Sequence, residues 1–187
     1  MSIDQTSDAR IGFQPWIGQN YATTGFKGKK VLILGESHYR PIEQKIQDFS
    51  MNVIKWHVYT KRVRVFTKVE MVLTNIPARE SVSDDQRSAF WESLAFDNYI
   101  QTSVGEHARD RPTPEMWEAA KKPFLQTLNR LKPEYLVVLG RELEKNVSPL
   151  VAGIEEIKIV YVTHPSAPKF KLGVAQDAFR NVFSSGK

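Results

Sequence analysis

The sequence predicts an α/β protein: a three-layer α/β/α sandwich around a central, mainly parallel sheet of about four strands. Three observations lead there. Short apolar runs at 31–34, 135–139 and 157–162 read as strands buried on both faces, as a parallel sheet requires. The intervals between them carry apolar residues at helical spacing, opened by helix-start signals. Each run ends in residues that turn the chain, Gly35, Gly140 and Thr163-His164-Pro165-Ser166. In parallel sheets the working residues gather at such carboxyl ends.

Taken in order, residues 1–30 are rich in Gly, Gln and Thr and read as an irregular arm. Trp16, Tyr21 and Phe26 would pack it onto the body of a single domain spanning 1–187. The first strand, 31–34, follows Lys29-Lys30. Residues 55–68 interleave cations with aromatics, including Lys55, Trp56, Lys61, Arg62, Arg64 and Phe66. That mixture suits a nucleic-acid groove, where phosphates meet charge and bases meet rings. Val63 and Val65 alternate with Arg62 and Arg64, which also fits a half-buried strand with one basic face.

Ser83 with Gln86 three places on forms a capping box, opening a helix through Phe90, Trp91 and Leu94. Residues 95–101 form a further extended segment. Thr113 can N-cap a longer helix, with Pro114 first and Glu115 near the positive end of the dipole. Its apolar stripe is Trp117, Ala120, Phe124, Leu128 and Leu131; Pro123 inside it should kink or break the helix. Lys132-Pro133 stops it before the strand at 135–139. A last helix, at about 176–183, buries Ala178, Phe179, Val182 and Phe183.

Composition narrows the function classes. The 187 residues include 26 Lys and Arg against 21 Asp and Glu, a formal net charge of +5. Such an excess favours a polyanionic partner such as nucleic acid. With no cysteine, disulfides, thiolate zinc sites, cysteine nucleophiles and thiolate-held iron–sulfur clusters are excluded. No pair of histidines falls at ligand spacing, so no metal and no cofactor is expected. A Gly-x-Ser-x-Gly elbow is absent, which argues against a serine hydrolase. The first residues carry neither a basic n-region nor an apolar h-region, and no apolar run could span a bilayer. A soluble, cytoplasmic monomer is the expectation, with no membrane partner.

The two strand-end motifs carry a resemblance. Val31-Leu32-Ile33-Leu34-Gly35-Glu36-Ser37-His38-Tyr39 resembles the first motif of uracil-DNA glycosylases, in which a hydrophobic strand runs into Gly-Gln-Asp-Pro-Tyr-His or Gly-Glu-Ala-Pro-Gly. Val162-Thr163-His164-Pro165-Ser166-Ala167-Pro168 resembles the second, His-Pro-Ser-Pro-Leu-Ser. Between them, Phe96-Asp97-Asn98-Tyr99-Ile100 is similar to the segment whose Asn reads the flipped base. The resemblance spans about 31–183.

It implies a uracil-DNA glycosylase-like fold and a DNA partner, single- or double-stranded. It also implies hydrolysis of the N-glycosidic bond of a deaminated base, uracil or hypoxanthine. By resemblance, His164 donates to the leaving base and Asn98 reads it, while Tyr39 crowds the pyrimidine C5 edge. Gly35 and Ser37 line the base site. Glu36 is the only carboxylate in the first motif and takes the catalytic place beside His164. Ser166, Lys169 and Phe170 fall on the DNA-binding loop.

The chain departs from the family pattern at three points. Ser37 replaces the water-orienting aspartate, and His38 the proline after it. Pro168 stands where a duplex-wedging leucine belongs, leaving Phe170 as the candidate wedge. The branches with glutamate in the first motif hold an iron–sulfur cluster, which a cysteine-free chain cannot. Loss of the aspartate suggests an alternative, a nucleic-acid-binding module of the same fold without turnover. A third reading starts from Gly35-Glu36-Ser37-His38, which also resembles the start of erythromycin-esterase-like hydrolases. His38, His57 and His107 read as surface or packing residues.

Overall fold

The computed structural model describes residues 12–38, 48–105, 107 and 110–184. Within them the chain forms β1 (Trp16–Ile17), β2 (Val31–Gly35), α1 (Phe49–Tyr59), α2 (Arg64–Thr74), α3 (Asp84–Glu92), β3 (Ala95–Asn98), α4 (Pro114–Leu131), β4 (Tyr135–Leu139), α5 (Arg141–Val151), β5 (Lys158–Val162) and α6 (Leu172–Ser184). The strands make one sheet in the order β1-β3-β2-β4-β5. All neighbours are parallel except β1, which runs antiparallel to β3.

The pleat divides the core in two, because successive side chains of a strand point to opposite faces. Val31 and Ile33 enter one cluster with Ile54, Phe66, Val69, Trp91 and Phe179, so α1, α2, α3 and α6 lie on that face. Leu32 and Leu34 enter the other with Phe124, Leu128, Leu143 and Val147, so α4 and α5 cover the opposite face. Every residue of β2 is buried. Burying each of its aliphatic side chains contributes about 1.5–3 kcal/mol.

The N-terminal arm differs from expectation. Residues 16–17 form a strand, which makes the sheet five-stranded. Its ladder is short, and the Trp16 indole anchors it by donating to the Trp91 carbonyl at 2.8 Å. Residues 55–68 are helical rather than extended, divided between α1 and α2 by a short break. The alternation of valine and arginine covers only that break and the first turn of α2. The longer-range spacing of Phe66, Val69, Val72 and Leu73, all buried, sets a helix.

Both predicted helix starts hold. Ser83 and Gln86 exchange hydrogen bonds as a capping box, and Thr113 Oγ1 accepts from the Met116 N–H at 3.3 Å. Pro123 does not break α4, which is continuous from Pro114 to Leu131. The last helix begins earlier than its apolar stripe, at Leu172.

This strand order positions the site. From β2 the chain moves outward to β3, then returns to the other side of β2 for β4 and β5. Where the order reverses, the loops leaving β2 and β4 diverge and open a crevice at their carboxyl ends.

Candidate functional site

A cleft of about 660 Å³ occupies that crevice. Gly35, Glu36 and Ser37 line it from the end of β2, Asn98 from the end of β3, Gly140 and Arg141 from the end of β4, and His164 from the segment after β5. Phe49, Phe66 and Phe96, with Val63 and Val65, supply an apolar wall. The two sequence motifs and Asn98 are therefore brought together, although they lie far apart along the chain.

Strand register fixes the first contact. Gly35 pairs with Asn98 in the parallel ladder, and the Asn98 side chain lies across the Gly35 Cα. A Cβ on residue 35 would fall 2.2 Å from Asn98 Oδ1, so only glycine admits the amide here. Asn98 is 3 % exposed, and among the described residues no group hydrogen-bonds its side-chain amide. Ser37 Oγ is likewise buried without a hydrogen-bond partner. A buried polar group left unpaired costs about 1–3 kcal/mol. The buried Ser37 hydroxyl, with the unbonded Asn98 amide beside it in the same cleft, points to a polar ligand that completes them.

His164 follows Thr163 after β5, and its carbonyl accepts the Ala167 N–H to close a turn. Its Nδ1 accepts the Ser166 N–H at 3.2 Å, which places the imidazole proton on Nε2 as a donor. Burial lowers the His164 pKa below its ordinary 6.5, and the charges of Arg111 and Lys68 lower it further. The ring is neutral at pH 7. Gly140 beside it has φ +118°, a left-handed backbone that a side chain would strain.

The Glu36 carboxylate is held by Arg111. Nη1 meets Oε1 and Nη2 meets Oε2, each at 2.9 Å. The Glu36 side chain is 14 % exposed and Arg111 57 %, so the pair spans from the cleft to solvent. Arg111 had no signal in the sequence beyond its place two residues before a helix cap. Arg141, which begins α5, was equally unannounced, whereas Lys68 belongs to the basic stretch 55–68 and donates to the Pro165 carbonyl from α2.

The remaining predicted residues scatter. Ser166 lines the cleft but is exposed. Lys169 is exposed in an adjoining groove of about 630 Å³, together with Arg141 and Lys171. Phe170 is half-buried against the core, with Lys68 Nζ 4.9 Å from its ring centroid. Its ring lies on the body instead of projecting from the loop. Tyr39 falls outside the described residues.

Of the other histidines, read as packing or surface residues, His38 lines the cleft while His57 and His107 do not. His38 is buried edge-on to Phe49 with Nε2 3.0 Å from Ser50 Oγ. His57 is buried against Glu70, and His107 is exposed. Among the described residues no cluster of three or more His, Asp or Glu could hold a metal ion, and no helix is long and apolar enough to cross a membrane.

Chemically, the cleft combines a neutral imidazole donor, a fixed carboxylate, an unpartnered amide and an apolar aromatic wall. Such a set can hold a flat heterocycle by its polar edge and stabilise charge on either side of a breaking bond. Compared with known proteins, the chain matches no family model and no curated sequence.

Proposed function

We propose that the protein is a uracil-DNA glycosylase-like enzyme that flips out a deaminated base, uracil or hypoxanthine, and hydrolyses its N-glycosidic bond. The observation that carries this reading is the unpartnered Asn98 amide, sharing a cleft with a neutral His164 at the point where strand order reverses. In the reaction a water oxygen bonds to C1′ as the C1′–N bond breaks, its electron pair leaving with the base. His164 Nε2–H stabilises the oxyanion of the base, and Asn98 pairs with its amide edge. The Glu36 carboxylate stabilises the oxocarbenium-like sugar, and the proton lost by water ends on the departing base.

The test is base release from oligonucleotides carrying uracil or hypoxanthine, single-stranded and duplex. Release should fall about 10²-fold or more in His164→Ala and in Glu36→Gln. No release from any substrate by folded wild-type protein would end the enzymatic reading.

One observation favours a second reading, the nucleic-acid-binding module. Arg111 engages both Glu36 oxygens, which leaves neither of them free to orient a water. Salt-dependent oligonucleotide binding without turnover would select that reading.

A further inference from the structure

Arg111 reaches from the loop before α4 to the end of β2, and what it does there is not stability. An ion pair whose guanidinium is more than half exposed contributes little to folding, since water competes for both partners. A two-pronged guanidinium–carboxylate contact does something a single contact cannot: it fixes the plane of the carboxylate. Both Nη···Oε contacts are 2.9 Å, so the Glu36 carboxylate cannot rotate without breaking one of them. Arg111 also acts on the second group of the site, because its charge is felt at His164 more strongly than that of Lys68.

We propose that Arg111 is a positioning residue of this site, fixing the plane of the Glu36 carboxylate and placing a constant positive charge beside His164. The proposal rests on reading Glu36 and His164 as the groups that act on the ligand. The charges that face His164 come from several elements. They are Arg111 before α4, Lys68 on α2, Arg141 and Glu142 at the start of α5, Glu36 after β2, and Lys169 on its own loop. Removing Arg111 subtracts a cation from this set and leaves the Glu36 anion unbalanced. Both changes ease protonation of His164.

The experiment pairs Arg111→Gln, which removes charge and fork, with Arg111→Lys, which keeps the charge alone. His164 is titrated by NMR in the ligand-free protein, and base release is followed against pH. In Arg111→Gln the His164 midpoint rises, the acid limb of the release profile moves up with it, and kcat falls about 10²-fold with little change in KM. Arg111→Lys leaves the titration near wild type yet still lowers kcat. Slow rotation of the Arg111 guanidinium, seen in nitrogen-15 spectra, should be present in wild type and lost in Glu36→Gln. An unmoved His164 midpoint in Arg111→Gln, full release in Arg111→Lys, or a freely rotating guanidinium in wild type would each overturn the proposal. If wild-type protein releases no base, the glycosylase reading falls, while the titration and the rotation still decide what Arg111 does.

Discussion

Asp97 stands one residue before the amide that lines the cleft, and its carboxyl points the other way, into the layer of α4. It is 1 % exposed. Oδ1 accepts the Asn98 N–H at 2.9 Å, while Oδ2 accepts from the Gln101 amide at 3.1 Å and the Thr127 hydroxyl at 3.3 Å. Burial outweighs these bonds and pushes its pKa from 3.8 up to about 7. Between those values the folded chain holds a proton that the unfolded chain has released. Stability therefore declines as pH rises through that window, and the decline is complete above about 7. Asp97→Asn imitates the protonated form. Urea unfolding should find it close to wild type below about pH 4 and more stable near pH 8, by an amount on the order of a few kcal/mol. His164 acts in the opposite sense, costing stability as pH falls below about 6.5, but it is present in both proteins and cancels in the comparison. A difference between the two proteins that stays constant across pH would show that Asp97 is ionised throughout.

At the scale of elements, the wall of the cleft depends on a buried polar knot behind it. Glu70 on α2 accepts from His57 Nε2 on α1 at 2.6 Å and from Trp91 Nε1 on α3 at 2.7 Å. The Arg87 guanidinium lies 3.6 Å away. His57 Nδ1 in turn accepts the Val63 N–H at 2.8 Å, tying down the break between α1 and α2 whose Val63 lines the cleft. Glu70→Ala would leave the buried His57 and Trp91 N–H groups without an acceptor and Arg87 with only the exposed Asp84 as counter-charge, and the expected loss is about 3–5 kcal/mol in denaturant unfolding. A loss below about 1 kcal/mol would mean that water or rearrangement replaces the carboxylate.

This knot also marks the limit of what local pattern reveals. Gly35, Asn98 and His164 were legible because strand-end residues of a parallel sheet converge by topology. The capping box at Ser83 was legible because both its partners lie within one turn. Glu70 and Arg87 are polar residues inside helices, which sequence assigns to solvent, and their partners, His57 and Trp91 for Glu70 and Asp84 for Arg87, take them into the core. Arg111 was hidden for a related reason: its partner is Glu36, distant in sequence, and no spacing rule connects them. Residues 16–17 were missed because two residues carry no periodicity; they are a strand only because the β3 edge supplies the ladder.

For the whole molecule, the distribution of charge matters more than its sum. Arg111 and Arg141 line the cleft; Arg62, Arg64 and Lys68 line a neighbouring groove beside Phe170, and Lys169 and Lys171 line the groove on the other flank of the same loop. On the proposed function this band tracks a phosphate backbone, and binding should weaken steeply with salt. Replacing Lys169 and Lys171 together by glutamine should reduce the slope of log affinity against log salt by about 1–2 for a single-stranded oligonucleotide, with folding unchanged. An unaltered slope would place the backbone elsewhere.

The strand order has a consequence for how the chain comes into being. β2 is apolar on both faces, yet its partners β3 and β4 come much later in the sequence, with Val31 pairing to Tyr135. During synthesis β2 leaves the ribosome first and waits, unpaired and water-exposed, until most of the chain has followed. Closing such long loops is slow, so the vulnerable interval is set by translation and loop closure together. The lysines at 29 and 30 that precede β2 then act in the nascent chain, as charges that discourage two waiting strands from finding each other.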